Sequence, residues 1–126
     1  MDFELCGVSF PLAYTIGAKK DLLEAFGSQD NIASAFLVES DVELAENAAR
    51  MGAIMNRAAC AREKARCALT GEKADIQQID YDTLFNLLDT NSVLDLVQAI
   101  TGTVREANET TVKVKEDNPK EKAMQE

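Results

Sequence analysis

The feature that most constrains the fold is a long helical pattern in the middle of the chain. Ser40–Glu43 has the spacing of a capping box, in which a serine and a later glutamate satisfy the free N–H groups of a helix's first turn. The alanine-rich residues that follow predict a helix to about residue 68. A small-residue stripe would permit close approach of another helix, within the monomer or between copies. It comprises Val42, Ala45, Ala49, Gly52 and Ala59.

The first sixteen residues carry a different pattern, typical of a β-hairpin. A two-residue turn at Cys6-Gly7, with a positive φ at Gly7, would pair Phe3 with Phe10 and Asp2 with Pro11. Strand alternation then places the large apolar residues on one face, namely Phe3, Leu5, Val8, Phe10, Leu12, Tyr14 and Ile16. A lone hairpin is marginal in water, so we expect this face to pack on helices. The alternative is a frayed N-terminus.

Shorter helical patterns lie on both sides of the long one. Residues 17–26 carry Ala18, Leu22, Leu23 and Phe26 on one side, and we expect Leu23 to be buried. Ser28 and Asp80 are each suited to capping a short helix. A final helix is predicted from about Ser92 to Ala107.

These patterns together predict one domain of the α+β class, mostly α. An N-terminal two-stranded antiparallel β-hairpin, at about residues 2–15, would pack on a bundle of four to five helices at about residues 17–107. The domain would span residues 1–107, since 126 residues are too few for two ordinary domains. Apolar content falls after residue 107, so residues 108–126 are expected to form a flexible polar tail.

The overall composition disfavours several classes of function. The formal net charge of −9 would repel nucleic-acid phosphates, and the absence of histidine removes the commonest general base and metal ligand. No apolar run approaches the roughly 20 residues that span a bilayer, and the acidic N-terminus is unlike a signal peptide. We therefore expect a cytoplasmic protein that contacts no membrane, and the composition disfavours an enzyme.

The cysteine and aspartate clusters, which in other proteins often bind metals, are best explained here by structural roles. Cys60 and Cys67 lie too far apart in sequence for a zinc motif and are expected to be buried as small apolar residues. An acidic group does not match a calcium loop and suits helix capping; it comprises Asp75, Asp80, Asp82 and Asp89. The sequence predicts no catalytic residue, no metal site and no cofactor.

One basic segment stands out in this acidic chain. Arg50, Arg57 and Lys64 are spaced seven residues apart, which places them on one face of the long helix. They are candidate partner-contact residues that would meet an acidic surface. The alternatives are a solvated face, with cations favoured near a helix C-terminus, and a nucleic-acid contact.

Three stretches resemble the small tail assembly chaperones of long-tailed bacteriophages and prophages, especially those of Gram-positive hosts. They are FELCGVSFPL at residues 3–12, AKKDLLEAFGS at residues 18–28 and LLDTNSVLDLVQAI at residues 87–100. The resemblance covers about residues 3–107 and consists of hydrophobic residues and turns. The alanine-rich helix with its arginines matches no motif of the family.

The resemblance implies a non-enzymatic role in virion assembly. Such chaperones bind the long helical tape measure protein in multiple copies, keep it soluble and help to bring the tail tube protein to it. It also implies a homo-oligomer. The alternatives are an oligomeric interaction adaptor of phage or bacterial origin, and a nucleic-acid-binding regulator.

Overall fold

The computed structural model describes residues 2–116, and it describes side-chain environments from residue 2 to residue 109. Strands β1 and β2 form an antiparallel hairpin, and five helices follow within this part of the chain. The elements are β1 (Asp2–Leu5), β2 (Val8–Pro11), α1 (Ile16–Phe26), α2 (Gln29–Ala33), α3 (Asp41–Thr70), α4 (Tyr81–Leu87) and α5 (Thr90–Glu116). The predicted class, a mostly helical α+β fold with a hairpin packed on helices, is confirmed.

The hairpin has the predicted register. Phe3 pairs with Phe10 and Asp2 pairs with Pro11, and the two phenyl rings stack with their centroids 5.3 Å apart. Both turn residues have a positive φ, 54° at Cys6 and 77° at Gly7, as a type I′ turn requires. Both phenylalanines are buried in the main core, so one face of the hairpin covers the helices.

Three residues that were predicted to face the core are exposed: Val8, which is 38% exposed, Ile16 and Leu23. Ile16 is 77% exposed because β2 ends at Pro11, and Ile16 already begins α1. Leu23 is 43% exposed, whereas its neighbour Leu22 is buried. Consecutive helical residues point about 100° apart, so only one of this pair faces the core.

Side-chain caps fix where the helices begin. The hydroxyls of Ser28 and Ser40 accept hydrogen bonds from the third residue of α2 and α3, at 3.1 Å and 3.3 Å. The Asp80 carboxylate does the same for α4, at 2.8 Å from the Thr83 nitrogen. The predicted starts of these three helices are therefore confirmed.

The last helix is longer than predicted. Helix α5 begins at Thr90 and continues to Glu116, so the expected boundary at Ala107 lies inside the helix. The predicted tail at residues 108–126 is thus helical as far as Glu116, and residues 117–126 lie outside the described part of the chain. The tail was predicted from the low apolar content after residue 107, and low apolar content does not by itself end a helix.

Helix α3 packs against α1, α4 and α5. A Cβ atom added at Gly52 would lie only 3.1 Å from Leu96 Cδ1 and 3.3 Å from Leu84 Cδ2. The small-residue stripe therefore permits close helix packing within the monomer. Val42, the first residue of the predicted stripe, is instead 61% exposed.

Helices α3 and α5 have 30 and 27 residues, more than a bilayer crossing needs. Both contain many charged residues. Among the helices described between residues 2 and 116, none combines the length and the apolar character needed to cross a membrane.

A buried asparagine holds the irregular segments onto α3. The Asn56 amide nitrogen donates to the carbonyl oxygens of Pro11 and Gln77, at 2.9 Å and 3.0 Å. Its amide oxygen accepts from the Ile79 nitrogen at 2.9 Å, and the side chain is fully buried. One side chain thus ties both the end of the hairpin and the connection before α4 to the middle of α3.

We expect Phe10→Ala to lower the free energy of unfolding by about 3–5 kcal/mol, because it removes a buried ring from the stacked pair under the hairpin. Val8→Ala, in the same strand but 38% exposed, should cost less than about 1 kcal/mol. Chemical denaturation followed by circular dichroism measures both losses. A loss below about 1 kcal/mol for Phe10→Ala would contradict the packing described here.

We expect Asn56→Ala to destabilise the protein by about 2–5 kcal/mol, because it leaves two carbonyl groups and one N–H group without their buried partner. Asn86→Ala is a matched control on the exposed surface of α4. It should change the unfolding free energy by about 0.5 kcal/mol or less. Equal effects in the two variants would argue against the role assigned to Asn56.

Candidate partner-binding surfaces

An apolar groove lies between α2 and the second half of α5, and we call it the α2–α5 groove. Its volume is about 780 Å³. Ile32 and Phe36 from the α2 region form one wall, and Val104 of α5 forms the other. Its floor contains Leu22, Met51 and Ile100, all of them buried.

The polar residues of the α2–α5 groove lie at its rim. Gln29, Thr101, Arg105, Asn108 and Glu109 are all exposed to solvent. Arg105 and Glu109 carry opposite charges, so the rim has no dominant sign. An apolar centre with an exposed polar rim is the pattern of protein interfaces and of grooves that bind an amphipathic helix.

A second groove lies at the other end of α5, where it meets α4 and the start of α3; we call it the acidic groove. Its volume is about 420 Å³. Its most exposed apolar residues are Val42 and Leu94, at 61% and 51%. Asp41 and Asp89 line it as well, and no basic residue does.

The three predicted contact residues have different environments. The guanidinium of Arg50 lies over the Phe26 ring, 5.7 Å from its centroid, and Arg57 forms a 3.0 Å ion pair with Asp21. Both therefore contact α1 of the same molecule. Lys64 is exposed farther along α3. Their prediction as partner contacts remains a prediction, with Arg50 and Arg57 already engaged on α1.

The two cysteines of α3 are buried, as predicted. Burial raises the pKa of the Cys60 thiol, and the nearby Lys64 charge partly opposes this rise. Burial and a hydrogen bond to Glu63 raise the pKa of the Cys67 thiol. Both groups are therefore protonated thiols at neutral pH.

The predicted capping role is confirmed for two of the aspartates. Backbone hydrogen bonds from Thr83 and Ser92 lower the pKa of Asp80 and Asp89, respectively. Among residues 2–109, no three Cys, Asp or Glu side chains lie close enough to hold a metal ion.

Sequence reasoning did not identify either groove. The α2–α5 groove brings together residues from four separate elements, and no sequence motif marks such an assembly. The sequence offered only a weak signal, the apolar residues Ile32, Phe36 and Val104, which the structure leaves half-buried against the core. The comparisons with protein-family models, with curated proteins and with solved structures gave no match.

We expect the double variant Asp80→Asn with Asp89→Asn to lose part of the acid sensitivity of the fold. The pKa values of both carboxylates are lowered in the folded state, so their stabilisation is present above the unfolded pKa of about 4 and is lost as the pH falls below it. Asparagine keeps an N-cap acceptor without this titration. Unfolding free energies measured between pH 7 and pH 3 should fall less steeply in the variant; equal slopes would contradict the assignment.

Proposed function

We propose that this protein is a tail assembly chaperone of a bacteriophage or prophage, non-enzymatic, which binds helical segments of a tape measure protein in multiple copies. It would act in the cytoplasm of the bacterial host and also contact the tail tube protein. Three stretches of sequence support this, together with the α2–α5 groove. The groove is the observation that carries the proposal.

The shape and chemistry of the α2–α5 groove suit a helix with an apolar stripe. Ile32, Phe36 and Val104 are half-buried in the free protein and would gain contacts from such a partner. The rim carries both Arg105 and Glu109, so it would accept helices of either charge. A long helical partner offers many such stripes, which suits binding by several copies.

The alternative is an interaction adaptor that binds a different helical protein. The same groove supports it, since the geometry favours a class of ligand and does not select one helical protein over another. The two proposals differ in the identity of the partner, which is therefore what the experiment must test.

The test is co-expression with a tape measure protein from the same phage or prophage genome, followed by affinity capture and light scattering. We expect a soluble complex that contains several copies of this chain. Val104→Glu should lower the captured amount at least about tenfold, because it places a carboxylate against the apolar wall of the groove.

The matched control is Leu37→Glu, at a leucine that is 82% exposed and lines neither groove. It should capture the partner as the unmodified protein does. If the tape measure protein stays insoluble with the unmodified chain, the chaperone proposal fails. If Leu37→Glu and Val104→Glu lose capture equally, the α2–α5 groove is not the binding site.

A further inference from the structure

We propose that the acidic groove of one copy binds the C-terminal end of α3 from a second copy, so that copies associate head to tail. This inference rests on the multiple-copy part of the proposed function and names the two surfaces that would join the copies. It does not involve the α2–α5 groove.

The acidic groove has an apolar centre within a uniformly negative region. Val42 and Leu94 leave more than half of their surface exposed there. The groove is lined from residues 41–45 and 85–94, and these two segments together with their flanks, residues 39–46 and 80–98, contain eight acidic residues and no basic residue. The eight are Glu39, Asp41, Glu43, Glu46, Asp80, Asp82, Asp89 and Asp95. A partner for this groove must be both apolar and basic.

The C-terminal end of α3 has the complementary chemistry. From Ala61 to Thr70, every side chain except Glu63 and Cys67 is exposed, so this end of the helix is largely uncovered. Leu69 is 90% exposed. Ala65 lies one turn before Leu69 on the same face, and together they form a small apolar surface.

The charge around Leu69 is positive. Residues 61–73 contain four basic and two acidic side chains, and Arg66 pairs with both acidic ones, Glu63 at 2.6 Å and Glu72 at 3.1 Å. The three remaining cations form no ion pair with any residue whose side chain the structure describes. They are Arg62, Lys64 and Lys73.

The two surfaces of one molecule cannot meet each other. Val42 and Leu69 lie 27 positions apart on one continuous helix, which separates them by about 40 Å. A contact between them must therefore join different copies, and each copy keeps one free groove and one free helix end. Such a heterologous contact builds a chain of copies, or a ring where the rotation closes.

The helix end is already folded in the monomer, so its binding would order few additional residues. Helix α3 continues to Thr70 and ends in a left-handed Gly71, whose N–H donates to the Cys67 carbonyl. A preformed helix costs less conformational entropy on binding than a segment that must fold. This favours a second copy as the occupant over a segment that is unfolded when free.

The experiment measures self-association of the purified full chain by sedimentation velocity across a concentration series, with no partner protein present. We expect the average mass to rise with concentration, and the rise to weaken at high salt because the matched charges are screened. Leu94→Lys, in the groove, and Leu69→Glu, at the helix end, should each remain monomeric over the same series.

Mixing the two variants provides the decisive result. Leu94→Lys keeps an intact helix end and Leu69→Glu keeps an intact groove, so an equimolar mixture should form a heterodimer of twice the monomer mass and nothing larger. Leu37→Lys is the matched control, an exposed leucine outside both surfaces, and it should associate like the unmodified chain.

The inference would be overturned by an unmodified chain that stays monomeric, by variants that still associate, or by a mixture that forms no heterodimer. Association lost equally in Leu37→Lys would also overturn it. Because no partner protein is present, these outcomes are independent of capture by the α2–α5 groove. Failure of the head-to-tail contact and failure of the chaperone proposal can thus be told apart.

Discussion

The fold depends on the hydrogen bonds that one buried amide makes at the centre of α3. Asn56 satisfies backbone groups of the hairpin end and of the connection before α4, two segments that have no helix or sheet partner at those atoms. Buried backbone groups without partners are costly, so these segments need a polar residue on the core side of α3. The Ala13 nitrogen adds a bond to the Met55 carbonyl at 3.1 Å, beside the same position.

Helix α3 packs in the core along its middle and leaves apolar surface uncovered at both ends. Its middle, with Gly52 and neighbouring alanines, is small enough for close packing of α4 and α5. Its two ends extend beyond that core and remain partly uncovered, at Val42 and at Leu69. The packing within the monomer therefore uses the small-residue stripe and leaves the ends of α3 for other contacts.

Local patterns were enough to predict most of the fold. The hairpin register followed from the turn at Cys6-Gly7 and strand alternation, and three helix starts followed from capping residues at positions 28, 40 and 80. The errors arose where one local pattern is compatible with two kinds of secondary structure. Ile16 continues the strand alternation but also begins α1, and only the tertiary fold selects the helix.

The candidate surfaces were less predictable, for a physical reason. A groove is a space between elements, so its existence depends on how α2, α3 and α5 pack, which no single segment encodes. Periodicity did place Arg50 and Arg57 on one face, but it could not show that Phe26 and Asp21 of α1 already lie against them. The sequence separates an acidic segment, residues 39–46, from a basic one, residues 61–73. Only the structure shows that most of both segments lies at opposite ends of one continuous helix.

The net charge of −9 affects how two copies with separate acidic and basic segments approach each other. Two copies that approach in an arbitrary orientation repel each other, which keeps a protein with exposed apolar grooves from associating at random. The proposed contact between the basic end of α3 and the acidic groove is an orientation in which local charges attract while the overall charges repel. Repulsion elsewhere on the surface would then contribute to the specificity of the contact, because it raises the free energy of every competing arrangement.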